Sequence, residues 1–187
     1  MDVQEIQACA HKSWDYLLID KRVSTRGGTS MSKILFLHGS GSRPGGQKPS
    51  WLLENGHEVL NPQLPDESFE ESVRISQQLV DVEDPEIIVG SSRGGAVAVH
   101  LVAPNARLVL VCPAWKFYPG PQTVKAGTVI LHSQQDEVVP YAHSLELVAN
   151  SGLPASALIT VGSDHRLADA ESLQALLNAC APRISKQ

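Results

Sequence analysis

The chain has 187 residues, a length that suits one domain, and 42% of them are hydrophobic against 19% charged, so a packed core is within reach. Its net charge of −5 argues against a nucleic-acid-binding surface, and no run approaches the roughly 18 apolar residues of a membrane span. Three cysteines at irregular spacing, Cys9, Cys112 and Cys180, suggest neither a disulfide framework nor a zinc site and fit a reducing, cytoplasmic setting.

Residues 1–30 read as an N-terminal extension. Ile6, Ala10, Trp14 and Leu17 fall on one face of a short helix, and 21–30 is polar and basic, like a linker. Asp2, Glu5 and Asp15 interrupt any apolar signal-peptide core. The segment is either upstream of a domain that starts at Met31 or a helix that docks on it. The domain proper is 31–187.

From Met31 onward, six short apolar runs alternate with helical stretches. The runs lie at 33–37, 57–61, 86–90, 107–112, 127–132 and 157–161. That alternation predicts an α/β fold, a three-layer α/β/α sandwich around a six-stranded, mostly parallel sheet. The first strand runs into His38-Gly39-Ser40-Gly41-Ser42. With Gly45, Gly46 and Lys48 this loop invites a phosphate-binding reading. The pattern fails, because Gln47 separates the lysine from the last glycine and a dinucleotide fingerprint fits only with one residue too many. A short helix follows from Pro49 to Gly56, with proline at its start and glycine past its end. The next helix spans 66–82, with Ser68 and Glu71 as a capping box and Asp66 as a competing N-cap.

The third run leads into Gly90-Ser91-Ser92-Arg93-Gly94-Gly95 and a helix at 93–103. A strand, a tight turn reading G-x-S-x-G and a helix place Ser92 on a strained backbone with its hydroxyl pushed out. The position is also next to the free N–H groups of a helix N-terminus, which favour a developing negative charge. The fourth run ends in Cys112, read as a small buried residue. The fifth ends in His132 and meets Ser133-Gln134-Gln135-Asp136-Glu137 before a helix at 140–151. The sixth meets Gly162-Ser163-Asp164-His165 before a helix at 169–180.

A serine hydroxyl needs a general base, itself oriented by a third group. Ser92, Asp136 and His165 each stand just past the carboxyl end of a predicted parallel strand, where open α/β sheets place their sites. Ser92 is the candidate nucleophile, His165 the base and Asp136 the acid. Ser91 precedes the apex of the turn and does not share its geometry. Glu137 competes with Asp136, and Asp164 adjoins the histidine too closely to rank with either.

The order Ser, Asp, His and the motifs Leu35-Phe36-Leu37-His38-Gly39, Gly90-Ser91-Ser92-Arg93-Gly94-Gly95 and Gly162-Ser163-Asp164-His165-Arg166-Leu167 resemble the α/β-hydrolase superfamily, and among its members compact bacterial serine hydrolases. The resemblance covers about residues 33–180. It implies an oxyanion hole from backbone N–H groups of Ser40 or Gly39 and of Arg93, with His38 supporting that loop or bordering the pocket. It implies strand order second, first, third, fourth, fifth, sixth. Pro113 to Ala126 leaves no room for the lid that many relatives insert, so a minimal lidless fold with an open site is expected. Trp115, Phe117 and Tyr118 in that connection either wall a substrate pocket or pack beneath the loop. Arg93 either faces the site and favours anionic substrates or forms a salt bridge that holds the turn; His132 reads as a support of the acid loop.

The expected protein is thus a serine hydrolase that cleaves a carboxylic ester, or a thioester, in a small molecule through an acyl-enzyme on Ser92, with no metal or organic cofactor, no nucleic acid and no membrane. The alternatives are a non-catalytic interaction module on the same scaffold and a nucleotide-binding domain.

Overall fold

The computed structural model describes residues 31–181, so the extension expected at 1–30 lies outside the described residues. Six strands, β1 (Lys33–Leu37), β2 (Glu58–Leu60), β3 (Ile87–Ser91), β4 (Arg107–Val111), β5 (Val129–His132) and β6 (Leu158–Thr160), form one sheet in the order β2-β1-β3-β4-β5-β6. Every neighbouring pair is parallel. Among the described residues five helices cover it: α1 (Gln47–Glu54), α2 (Phe69–Glu83), α3 (Arg93–His100), α4 (Tyr141–Asn150) and α5 (Ala170–Cys180).

The apolar runs read as strands because successive side chains enter opposite layers. Leu35 and Leu37, Ile88, Leu108 and Leu110, and Ile130 pack with Leu79 and Val80 of α2, Val97 of α3 and Leu147 of α4. The alternate residues, Ile34 and Phe36, Ile87 and Val89, Val109 and Val111, and Leu131, pack with Leu52 of α1 and Leu176 of α5. A strand sandwiched in this way has no polar face, which is why these runs are continuous rather than alternating.

The elements differ from the predicted spans only at their ends, for local reasons. Helix α1 starts two residues before Pro49, whose missing N–H costs nothing in a first turn. Helix α2 starts at Phe69, capped by Ser68, whose Oγ accepts the Glu71 N–H at 3.1 Å. Asp66 instead accepts the N–H of Gly41, and the Glu71 carboxylate pairs with Arg74, so only half of the capping box forms. Helix α3 stops at His100, three residues early. Gln77 of α2 takes both the N–H and the carbonyl of Val102 through its side chain, and Pro104 disfavours helix just ahead of it. The β4–β5 connection holds one 3₁₀ turn, Trp115–Phe117, and no further helix.

The sheet reverses direction of travel between β1 and β3, and the carboxyl ends of β1, β3, β4 and β5 stand side by side. At that edge α3 approaches closely. A Cβ on Gly94 would lie 2.1 Å from the carbonyl oxygen of Leu37 and 2.7 Å from that of His38. A Cβ on Gly90 would lie 2.5 Å from the Gly94 oxygen. Both glycines are there because no side chain fits.

The interior also takes in histidines. His57 and His132 are buried, and burial holds both below the ordinary imidazole value.

Gly94→Ala should therefore cost about 3 kcal/mol or more of stability in urea denaturation, since backbone, not a movable side chain, meets the new methyl. Gly41→Ala is the control. It has open space around it and only a φ of +67° to pay for, a loss of about 1 kcal/mol. The histidines add a pH dependence. Unfolded imidazoles titrate near about 6.5, so the stabilisation is complete above that pH and is lost as pH falls toward the lower folded values. Melting temperatures taken between about pH 7.5 and 5.5 should fall steadily on acidification; a flat or rising series would contradict it.

Candidate active site

Ser92 is the residue between β3 and α3, with φ 53° and ψ −117°, a conformation that L-residues rarely hold. It persists because the turn is stitched down on every side. The Ser92 N–H donates to Val111 O at 2.8 Å, and the Ser92 carbonyl accepts from Gly95, Ala96 and Ala114. Its side chain is left half-exposed above the sheet edge.

Asp136 lies in the loop after β5. Its Oδ1 accepts the N–H groups of Val138 and Val139, each at 2.8 Å, which fixes the carboxyl plane. Its Oδ2 faces two imidazoles: His165 Nδ1 at 2.7 Å and His132 Nε2 at 3.0 Å. Burial alone would push this carboxyl up, but the hydrogen bonds from His165, Val139 and Val138 outweigh it, and Asp136 sits below the ordinary carboxylate value.

His165 completes the chain, its Nε2 lying 2.9 Å from Ser92 Oγ. Its loop, between β6 and α5, is shaped by Asp164, which accepts the N–H groups of Arg166 and Leu167. It is held from outside by α1. Gln47 donates to Ala168 O at 3.0 Å and Lys48 Nζ to Arg166 O. Ser133 Oγ ties it to the acid loop through Gly162 O. The lysine that failed a phosphate-loop pattern thus anchors the histidine loop. A serine O–H, an imidazole and a carboxylate in this order can move a proton off the hydroxyl and stabilise the resulting imidazolium.

The other expected residues divide. Gly39 lies against Ser92: a Cβ there would be 3.2 Å from Ser92 Cβ and 3.8 Å from Oγ. The N–H groups of Ser40 and Arg93 take no acceptor among the described residues, whereas that of Gly41 is committed to Asp66. His38 is buried. Its Nε2 accepts the Leu64 N–H at 3.1 Å, so Nδ1 carries the proton and donates to Gly39 O. It braces the loop. Glu137 is exposed, and the carboxylate on the histidine is that of Asp136.

Arg93 meets neither expectation. It is 3% exposed, so its charge does not face substrate, and no carboxylate pairs with it among the described residues. Its Nη2 donates instead to Pro65 O at 2.8 Å and to Ser68 O and Ser72 Oγ at 3.0 Å, holding the start of α2 against the turn. The three aromatics divide: Trp115 and Tyr118 pack beneath the loop, and Phe117 is exposed. Trp115 is buried with its indole N–H on His143 O, Tyr118 stacks on Phe69 at 4.1 Å, and Phe117, 52% exposed, sets its edge against His143. A groove of about 640 Å³ runs along the outer side of the Gly39–Ser42 loop, lined by Gly41, Gln63, Pro65, Asp66 and Ile75 among others. Ser92 is not among its lining residues.

One contact has no signal in the residue pattern. The thiol of Cys112, beyond the end of β4, comes within 4.8 Å of ligand atoms on Asp136 and His165. Burial, reinforced by the Asp136 charge, pushes that thiol well above the ordinary cysteine value, so it is protonated at neutral pH. His132, read from the sequence as a support of the acid loop, bonds directly to the acid carboxylate at 3.0 Å. No helix among the described residues is long and apolar enough to cross a membrane.

A sequence profile of the alpha/beta hydrolase family matches residues 34–182. No curated protein matches the sequence significantly. Among solved structures, the fold is similar to alpha/beta hydrolase domain-containing protein 10 from mouse, at 16% identity and TM-score 0.65 over 82% of this chain and 90% of that one. It is also similar to the esterase domain of a Rhodothermus marinus protein, at 15% identity and TM-score 0.58 over 79% and 83%. A third is an alpha-beta serine hydrolase homologue from Coxiella burnetii, at 16% identity and TM-score 0.61 over 81% and 85%. The match takes in most of the chain and the whole of the sheet but its first residue, and the chain belongs to the alpha/beta hydrolase family.

Proposed function

We propose that this protein is a serine hydrolase that cleaves carboxylic esters or thioesters of small molecules through an acyl-enzyme on Ser92. The observation that carries the reading is the unbroken chain from Ser92 Oγ through His165 to Asp136, at 2.9 and 2.7 Å, on a serine at φ 53°. Two structural neighbours are named an esterase domain and a serine hydrolase homologue, which agrees with it.

In the proposed reaction His165 Nε2 takes the Ser92 proton as Oγ adds to the carbonyl carbon. The negative charge passes to the carbonyl oxygen, received by the N–H groups of Arg93 and of Ser40 or Gly39. Asp136 holds the Nδ1–H tautomer and stabilises the imidazolium without itself taking the proton. The C–O or C–S bond then breaks, and His165 returns the proton to the leaving group. Water repeats the sequence on the acyl-enzyme, releasing the acid and restoring the serine. The short β4–β5 connection leaves Ser92 open to solvent, which suits small soluble substrates.

A fluorophosphonate probe should label the protein at one serine, and Ser92→Ala should abolish both labelling and hydrolysis of p-nitrophenyl acetate, by at least about 10³-fold. Activity retained within about tenfold would remove Ser92 from the mechanism, and an unlabelled wild-type protein would favour a binding role for the scaffold. Asp136→Asn should cut kcat/KM by about 10²–10⁴-fold because the amide favours the wrong tautomer. Glu137→Gln, exposed and off the histidine, should stay within about threefold; the opposite ranking would transfer the acid role.

A further inference from the structure

The acid of the proposed site has several donors besides the one the reaction uses, and one of them is a second imidazole. His132 is the last residue of β5 and is completely buried. Its Nε2 faces only acceptors, Asp136 Oδ2 and Val139 O, both at 3.0 Å, so that nitrogen carries a proton. Its Nδ1 lies 2.7 Å from Ser144 Oγ of α4, and the Ser144 hydroxyl, fully buried, donates to it. The Tyr141 ring meets the imidazole at 5.5 Å with its planes inclined. The Nε2–H is fixed by two acceptors that cannot donate, burial keeps the ring uncharged, and the Ser144 hydroxyl, able to play either role, therefore donates to the bare Nδ1.

We propose that His132 is a positioning residue of the same site: its Nε2–H anchors Asp136 Oδ2 toward His165 and takes up part of the negative charge that would otherwise fall on the imidazolium. The proposal rests on the reading of Ser92, His165 and Asp136 as the reacting chain. His165 Nδ1 and His132 Nε2 share one oxygen, while Oδ1 is saturated by two N–H groups. A carboxylate with fewer donors attracts a proton on its remaining partner more strongly. The other titratable and charged groups nearby are the protonated Cys112 thiol from β4, Asp164 and Arg166 on the histidine loop, and Lys48 from α1. Of these, the Cys112 thiol is itself a side-chain hydrogen-bond partner of the Asp136 carboxylate and adds to the donors that hold it; the other three do not bond to the Oδ2–His132 pair.

The test is the pH profile of kcat/KM on a neutral ester. His132→Leu should move the ascending limb, which reports neutral His165, to higher pH by at least about 0.5 unit and lower the plateau. His132→Gln, which can return an N–H to Oδ2, should bring the limb back toward wild type. Ser144→Ala should move it in the same direction by less, because the ring loses the donor that polarises it. A plateau that drops with the limb unmoved would mean a merely structural role and overturn the proposal. Should His132→Leu fail to fold, ¹⁵N-histidine spectra of the wild-type protein decide: His132 should remain the neutral Nε2–H tautomer from about pH 5.5 to 8.5, and protonation or the other tautomer in that range would overturn it. Fluorophosphonate labelling separates the two failures. A labelled protein with an unmoved limb loses only the role of His132, whereas an unlabelled protein with an active Ser92→Ala variant loses the reacting chain and this proposal with it.

Discussion

Where β3 passes into α3, three backbone segments come closer together than any side chain allows. Gly94 lies on the carbonyls that end β1, Gly90 lies beneath Gly94 and Gly95, and Gly95 would meet Pro113 at 2.9 Å if it carried a Cβ. This close approach is the constraint on which the rest depends. It forces Ser92 into a positive φ, brings the loop after β1 against its side chain and brings the chain after β4 to its carbonyl. The strain at one residue, of order 1–3 kcal/mol, is borne by the hydrogen bonds of two neighbouring strands and the N-terminus of a helix. Remove the glycines and the serine has neither its angle nor its neighbours.

The other two members of the proposed chain come from loops that the sheet does not fix directly, and each is secured by polar contacts instead. The acid loop closes on itself through Val138, Val139 and His132. The histidine loop is clipped by Asp164 from within and by Gln47, Lys48 and Ser133 from without. The result is a buried carboxylate with every lone pair engaged, which is the condition for keeping a charge in an interior.

Much of this is legible in the sequence, for a definable reason. Strands buried on both faces leave uninterrupted apolar runs, and the sites of a parallel sheet follow the ends of those runs, so Ser92, Asp136 and His165 can be read from position. Family resemblance then orders the strands. What is not legible involves partners that leave no residue signature. The Arg93 guanidinium ends on the backbone carbonyls of Pro65 and Ser68, 28 and 25 residues away, and any residue could supply those atoms. The early end of α3 depends on a Gln77 side chain from another helix. The aromatic residues at 115–118 could not be assigned to pocket or core because direction within a short connection is set by what lies beneath it, here His143 and Phe69.

The contact between Ser92 and His165 spans 73 positions of the chain, and that between His165 and Asp136 spans 29. Such closures are the costly late steps of chain organisation, because the entropy of the intervening loops is lost before the contact rewards it. The strand that carries the serine is central, whereas the histidine follows β6, the outermost strand on its side of the sheet. A molecule that has assembled β1, β3 and β4 alone has the strained turn and lacks its proton acceptor. A nascent or partly melted chain therefore lacks the Ser92–His165 contact, and the site of the proposed reaction is complete only when the last strand has docked.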